Sequence, residues 1–358
     1  MAVLNHISFA LWSFVRSTAL VGWVKSPPRA TKPTTSAHAT DGGRCLPGMT
    51  QMNIPQPFQY QGSKRNLAPR ILDYLPRKMD RLVEPFAGSG AISLACAARG
   101  RSQSYWLNDF NQPLSELLAL IVNKPDETAD FYESIWRKKE HDHIDQFYRI
   151  RDKFNETKDA RLLLYLLSRC VKGAVRYNSE GDFNQSPDKR RLGTHPSRMR
   201  SNISSVSLLL RGKTIFSARN YREIFEETNE QDVVYMDPPY QGVCNTRDHR
   251  YSASIEFSSF VSGLADLNRK GVRYLVSYDG RLGDKTYGKP LPDFLDLVLV
   301  EIEAGRSSQA TLLGQEAITV ESLYLSRSLA DEIGKTEAFL RNQPVEQIRL
   351  LETPAKYG

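Results

Sequence analysis

Between residues 81 and 100 the chain reads RLVEPFAGSGAISLACAARG. A short apolar run stops at a turn holding Gly88, Ser89 and Gly90, and the text that follows has helical spacing up to Gly100, a residue suited to ending a helix. The stretch 104–123, SYWLNDFNQPLSELLALIVN, repeats the arrangement, with Asn111 placed to cap its helix. Strand, turn and helix in alternation dictate parallel strands, because each helix is the crossover that returns the chain to the same end of a sheet.

The alternation is then interrupted. From about residue 124 to 173 the period is helical (HIDQFYRIRDKF, ARLLLYLLSRCV), and residues 174–212 are polar, serine-rich and basic. Alternation returns with KTIFSARNYREIF (213–225), a strand at 232–236, a helix near 257–269 and a strand at 272–280. DLVLVEI (296–302) and ITVESLYLSR (318–327) close the pattern like a hairpin with no helix between them. The expected organisation is an α/β domain built from 52–123 and 213–328, with a mostly parallel sheet and an antiparallel edge, a mostly helical insertion at 124–212, and a tail at 329–358. Residues 1–48 have no acidic residue before Asp41, and their apolar run from Ile7 to Trp23 is broken by Arg16. They read as a transit-like leader, or as translated upstream sequence with Met49 or Met52 as the start, and not as a membrane span.

Chemistry collects where the strands end. Gly88, Ser89 and Gly90 let backbone approach a ligand closely at a helix start, and Asp109, at the end of the next strand, can accept the hydroxyls of a ribose. Each feature alone is also an ordinary turn or helix cap; together they point to a nucleoside cofactor. The turn is not G-x-G-x-x-G, which favours S-adenosylmethionine over a dinucleotide. The strand at 232–236 runs into Asp237, Pro238, Pro239 and Tyr240. A carboxylate and a proline carbonyl offer acceptors and no donor, a match for an exocyclic amino group, and Tyr240 can stack on the face of the base that carries it. A surface turn is the plainer reading of D-P-P-Y, and the buried strand leading into it argues against that.

The motifs YQGSK (60–64), EPFAGSG (84–90), LND (107–109) and YMDPPY (235–240), in this order with an insertion before the last, resemble the Dam-type family of site-specific DNA adenine-N6 methyltransferases. The segment YLLSRCVKGAVRYNSEGDFNQSPDKR (165–190) is similar as well, and the resemblance spans roughly residues 57–327. Two departures are minor: Tyr60 stands where either aromatic is usual, and Ser63 replaces a common glycine. The resemblance implies the S-adenosylmethionine-dependent methyltransferase fold, Rossmann-like, with the insertion as target-recognition region. It implies that Tyr60, Lys64, Glu84, Phe86, Gly88, Gly90, Asp109 and Asp237 contact the cofactor. Lys64 is placed near its carboxylate, and Asp237, Pro238, Pro239 and Tyr240 at the methyl-transfer centre. Cytosine N4 or an RNA base would present the same amine, and a non-catalytic DNA-binding regulator could retain the same sheet.

The expected partner is double-stranded DNA, in keeping with an excess of Lys and Arg over Asp and Glu, 48 to 41. Phosphate contacts are expected from Lys189, Arg190, Arg191, Arg198 and Arg200 in the insertion, and from Arg247 and Arg250, beside His249 and Tyr251, after the site. Cys45, Cys96, Cys170 and Cys244 lie far apart without metal-ligand spacing, so a reduced, cytoplasmic protein without zinc is expected. A monomer without membrane attachment is expected, and association with a restriction endonuclease system is left open.

Overall fold

The computed structural model describes residues 54–138, 143–239, 255–282, 285–287, 289–306 and 318–334. Its centre is a sheet whose strands are β1 (Met79–Glu84), β2 (Ser102–Asn108), β3 (Thr214–Ser217), β4 (Asp232–Met236), β5 (Arg273–Leu282), β6 (Lys285–Tyr287), β7 (Val298–Arg306) and β8 (Ile318–Leu325). The spatial order is β3-β2-β1-β4-β5-β8-β7, with β6 paired to β5. The first five strands of that order are parallel, and β6, β7 and β8 are joined antiparallel. The alternation read along the chain thus produces the mixed sheet it implied, and the hairpin without a helix supplies its antiparallel edge.

Successive residues of the central strands face opposite sides, and both sides are covered. Leu82, Val233 and Leu275 pack beneath α2 (Ala91–Ala98), α3 (Gln112–Asn123) and the helices of the insertion. Val83, Val234 and Val276 pack beneath α8 (Tyr221–Glu227) and α9 (Phe257–Arg269). A short α1 (Ala68–Ile71) precedes β1, and α10 (Arg327–Glu332) follows β8. Asn111 caps α3 by accepting from the Leu114 amide, as its position implied. Where β1 lies beside β4, Arg81 donates from Nε and Nη2 to both oxygens of buried Asp232, at 2.7 and 2.8 Å.

The insertion contributes α4 (Pro125–Arg137), α5 (His143–Thr157), α6 (Ala160–Arg169) and α7 (Pro196–Leu210). These helices share the core under the first face of the sheet: α6 is buried along almost its whole length, and α7 packs on α2, α3 and α4. Its period sets this stretch apart in the sequence, but in space it shares one hydrophobic core with β1 and β4. Helix α7 is a departure from the expected fading into polar chain after residue 174. Its serines mask a buried stripe, Met199, Ile203, Val206 and Leu210, spaced by four, three and four residues. No described helix is long and apolar enough to cross a membrane.

Replacing Ile203, fully buried in α7, by Ala is expected to lower unfolding free energy by about 2–4 kcal/mol in urea titration. Leu208→Ala on the same helix, where the side chain is 85% exposed, should stay within about 0.5 kcal/mol of the parent. Equal effects at the two positions would mean that α7 does not present this face to the core.

Candidate active site

From β1 the chain winds outward to β2 and β3, then returns to the other side of β1 to form β4 and β5. The loops leaving the carboxyl ends of β1 and β4 therefore diverge and open a crevice between them. A cavity of 980 Å³ occupies this place, and its walls include Tyr60, Lys64, Glu84, Phe86, Gly88, Asp109, Asp237, Pro238 and Pro239.

The β1 side is a glycine turn shaped by close approach. Gly88 has φ +52°, and a Cβ there would stand 2.8 Å from the Tyr60 ring, so only glycine admits the aromatic over this turn. Gly90, read as a cofactor contact, is the left-handed N-cap of α2, is not among the cavity walls, and packs toward Leu107. Phe86 is wedged against Tyr221 and Phe260, with ring centroids 5.4 and 6.3 Å away. Glu84, at the end of β1, is buried and accepts a 2.7 Å bond from the Ser93 amide. Burial pushes its carboxyl up to about 7; the bond from the Ser93 amide offsets part of this and the neighbouring Asp237 charge adds to it.

Asp109 has a structural task that its sequence position did not disclose. One carboxylate oxygen accepts the Gly88 amide at 2.9 Å and the other the Asn111 amide at 3.0 Å, so this side chain fastens the glycine turn to the loop after β2. Burial raises its carboxyl above the ordinary range against the pull of those two amides. The segment ahead of β1 is held over the cavity from both sides: the Ser63 and Ser89 hydroxyls lie 3.1 Å apart, and the Gln61 amide donates to the Gly173 carbonyl at 3.1 Å.

Lys64 borders the cavity and is paired within the protein. Its ammonium lies 2.6 Å from Glu321 Oε1 and 3.2 Å from Asp237 Oδ1, joining the start of the domain to β8 and to the end of β4. Burial works against its charge, but the two carboxylates outweigh this and hold it protonated. Ser277 on β5 donates to the same Glu321 oxygen. Neither Glu321 nor Ser277 was among the residues expected from sequence. A signal was present: in ITVESLYL, Glu321 shares a strand face with Leu323 and Leu325, where an unpartnered acid would be costly.

The insertion forms the opposite wall. Tyr177 and Gly181, in a narrow hairpin closed by the Tyr177–Phe183 bridge, line the cavity together with Lys158, and the Tyr177 hydroxyl lies 3.1 Å from Asn111 Nδ2. Phe110, 57% exposed, also faces the cavity and was missed. The basic residues of the insertion that were expected to contact phosphate lie outside the cavity lining and divide into two kinds. Lys189, Arg190 and Arg198 are exposed. Arg191 donates to Gln59 at 2.6 Å and pairs with Asp188, next to the Tyr60 segment. Arg200, also expected to contact phosphate, is paired with Asp130 and Glu133 of α4 in a helix-to-helix bridge. Tyr240, Arg247, His249, Arg250 and Tyr251 lie outside the described residues.

Residues 60–306 match the family model described as D12 class N6 adenine-specific DNA methyltransferase. The chain is 25% identical over 235 residues to a DNA N-6-adenine-methyltransferase of Escherichia phage P1, a match covering 62% of this chain but only 29% of the phage protein. It is 29% identical over 216 residues to the DNA adenine methylase of Serratia marcescens, covering 58% of this chain and 76% of that one. A type II methyltransferase of Lactococcus lactis subsp. cremoris is 28% identical over 194 residues, with 52% and 66% covered.

Glu84 makes stability depend on pH. The unfolded chain ionises this group near its ordinary 4.5, whereas the folded protein keeps the proton until about 7. Its contribution is therefore complete below 4.5 and is lost as pH rises to about 7. The slope approaches roughly 1.4 kcal/mol per pH unit in that interval. Urea titrations from pH 4.5 to 8 should show this decline in the parent and not in Glu84→Gln; superimposable profiles would remove Glu84 as its source.

Proposed function

Because the chain belongs to the D12 class N6 adenine-specific DNA methyltransferase family, we propose that it transfers a methyl group from S-adenosylmethionine to N6 of an adenine flipped out of duplex DNA. The observation that carries this reading is the meeting of the glycine turn after β1 with Asp237 and Pro238 after β4 on one cavity. Its volume, 980 Å³, lies at the upper end of the range for small-molecule sites, about 300–1,000 Å³, enough for a nucleoside cofactor with a base beside it.

The residues present suit that cofactor. The turn at Gly88 closes under the Tyr60 ring without a Cβ between, Asp109 borders the same space, and Glu84 places a buried acid where a ligand amine can share its proton. S-adenosylmethionine, when bound, supplies a methyl group on a positively charged sulfur. The protein's part is to orient and to stabilise charge. Asp237 and Pro238 offer a carboxylate and a carbonyl to the two N–H bonds of an exocyclic amine, which directs the nitrogen lone pair away from the ring. Lys64 holds the Asp237 side chain in place. Stacking of the flipped base on Tyr240 is part of the proposal and rests on the sequence motif alone.

Exposed Lys189, Arg190 and Arg198 support phosphate contacts by the insertion, and Arg191 links that surface to the Tyr60 segment through Gln59. Recognition of a particular DNA sequence would lie with the insertion, whose Tyr177 hairpin already borders the cavity. The name of the Lactococcus relative, a type II methyltransferase, supports keeping a partner restriction endonuclease within the proposal.

Asp237→Asn should reduce methyl transfer to duplex DNA by about 10²–10³-fold, the scale of removing one preorganised polar group at a reacting centre, with the chain still folded. Turnover near the parent's would reject the assignment of Asp237. Replacing Lys189, Arg190 and Arg198 together by Ala should weaken binding to all duplexes alike and flatten the plot of log affinity against log salt by about 2–3. Arg200→Ala should leave that slope unchanged, since its guanidinium faces acids of α4.

A further inference from the structure

Three connections enter the parallel strands from the end of the sheet opposite the cavity. Residues 75–78, ahead of β1, read LPRK; residues 99–101, between α2 and β2, read RGR; residues 211–213, between α7 and β3, read RGK. Each brings two basic residues and no acid. The strands they enter are parallel neighbours in the order β3-β2-β1, so the connections lie side by side. Met79 of β1 donates its amide to the Arg101 carbonyl at 2.7 Å, and Tyr105 of β2 donates to the Lys213 carbonyl at 2.8 Å.

Among the described residues none of these six cations forms a salt bridge, whereas Arg200 and Arg219 are each held by two acids. Arg101 donates to the Leu75 carbonyl at 3.2 Å, and Lys78 to the Gly100 carbonyl at 3.4 Å. Arg77, Lys78 and Arg211 are exposed. Burial lowers the Arg101 guanidinium below its ordinary range, and the like charges of Arg99 and Arg77 add to this against the pull of Asp73. Arg99 and Arg211 stand at the carboxyl ends of α2 and α7, where a cation suits the helix dipole. One cation serves each helix end, and the crowding around Arg101 exceeds that need. A recess of 250 Å³ opens beside the first two connections, with Lys78, Arg101 and Arg273 in its wall; the acid there, Asp80, accepts from Gln103 at 3.0 Å.

We propose that this surface is a second nucleic-acid contact, which holds the phosphodiester backbone of a duplex segment other than the one at the cavity. Neighbouring strands stand roughly 4.8 Å apart, so three of them spread the six cations over about 10 Å, a length in which duplex DNA carries about six phosphate charges. The cavity lies past the other ends of these strands, about 20 Å away along the six residues of β1. The two surfaces face opposite ways, and a long DNA must loop back to touch both. Contact with phosphate alone carries no sequence preference. The duplex at the cavity rests on the methyl-transfer reading given above; the second surface does not.

The test uses the full chain with two short duplexes, one containing the methylated sequence and a second, labelled and unrelated. Sedimentation of the parent saturated with the first should show one chain carrying both. Replacing Arg77, Lys78 and Arg211 together by Gln should weaken the second duplex at least about tenfold and lower its slope of log affinity against log salt by about 2–3, with methylation of the short target unchanged. Arg211→Glu alone should weaken it about threefold, and decides the matter if the triple variant does not fold. A parent that carries only one duplex, which the triple variant retains, overturns the proposal, as does a triple variant that holds the second duplex as tightly as the parent. Uptake of phosphatidylserine vesicles in place of the second duplex also overturns it. A parent that binds one duplex, loses it in the triple variant and methylates nothing overturns the methyl-transfer reading and supports the second surface.

Discussion

Right-handed crossovers allow a parallel sheet to grow from its first strand in either direction, and this chain uses both. Growth from β1 to β2 and β3, followed by return to β4 and β5, leaves one place where neighbouring strands send their loops apart. The glycine turn, the fastening by Asp109 and the Asp237–Pro238 end of β4 all lie at that gap. Remove the reversal of direction and the same motifs would occupy adjacent loops running side by side, with no crevice between them.

Around the gap the polar groups that line the cavity also hold the fold together. Asp109 borders the cavity while its two oxygens hold backbone amides, so one side chain both lines the cavity and sets the shape of the turn. Lys64 is bound on the protein side by two acids, and Tyr177 ties the insertion to the loop after β2 through Asn111. Arg81 and Asp232 form a comparable pair at the start of β4, remote in sequence and paired across neighbouring strands.

Much of this was legible in the sequence because it depends on local period. The turn from strand to helix at Gly88, the Asn111 cap, the strand ending at Asp237 and the terminal hairpin each follow from a short window of residues. Helix α7 was hidden because serines at Ser201, Ser204, Ser205 and Ser207 dilute the apolar stripe that packs on α3. The three-residue β6 has too few residues to show a period. Glu321 and Ser277 escaped for another reason: the bond between them joins different strands, and the partner that completes their cluster comes from before β1. The pairing of Arg200 escaped in the same way, because the acids that bind it lie on α4, about 70 residues earlier.

The Lys64–Glu321 bond spans 257 positions, from the segment before β1 to the penultimate strand of the sheet order. During synthesis the amino-terminal partner leaves the ribosome long before its counterpart has been made. The parallel strands and the glycine turn can form as soon as β5 is available, but Lys64 must wait for β8 to acquire its nearer acid. The charge arrangement of the cavity is therefore among the last features the growing chain can complete, and a product ending before β8 would have the crevice without its electrical balance.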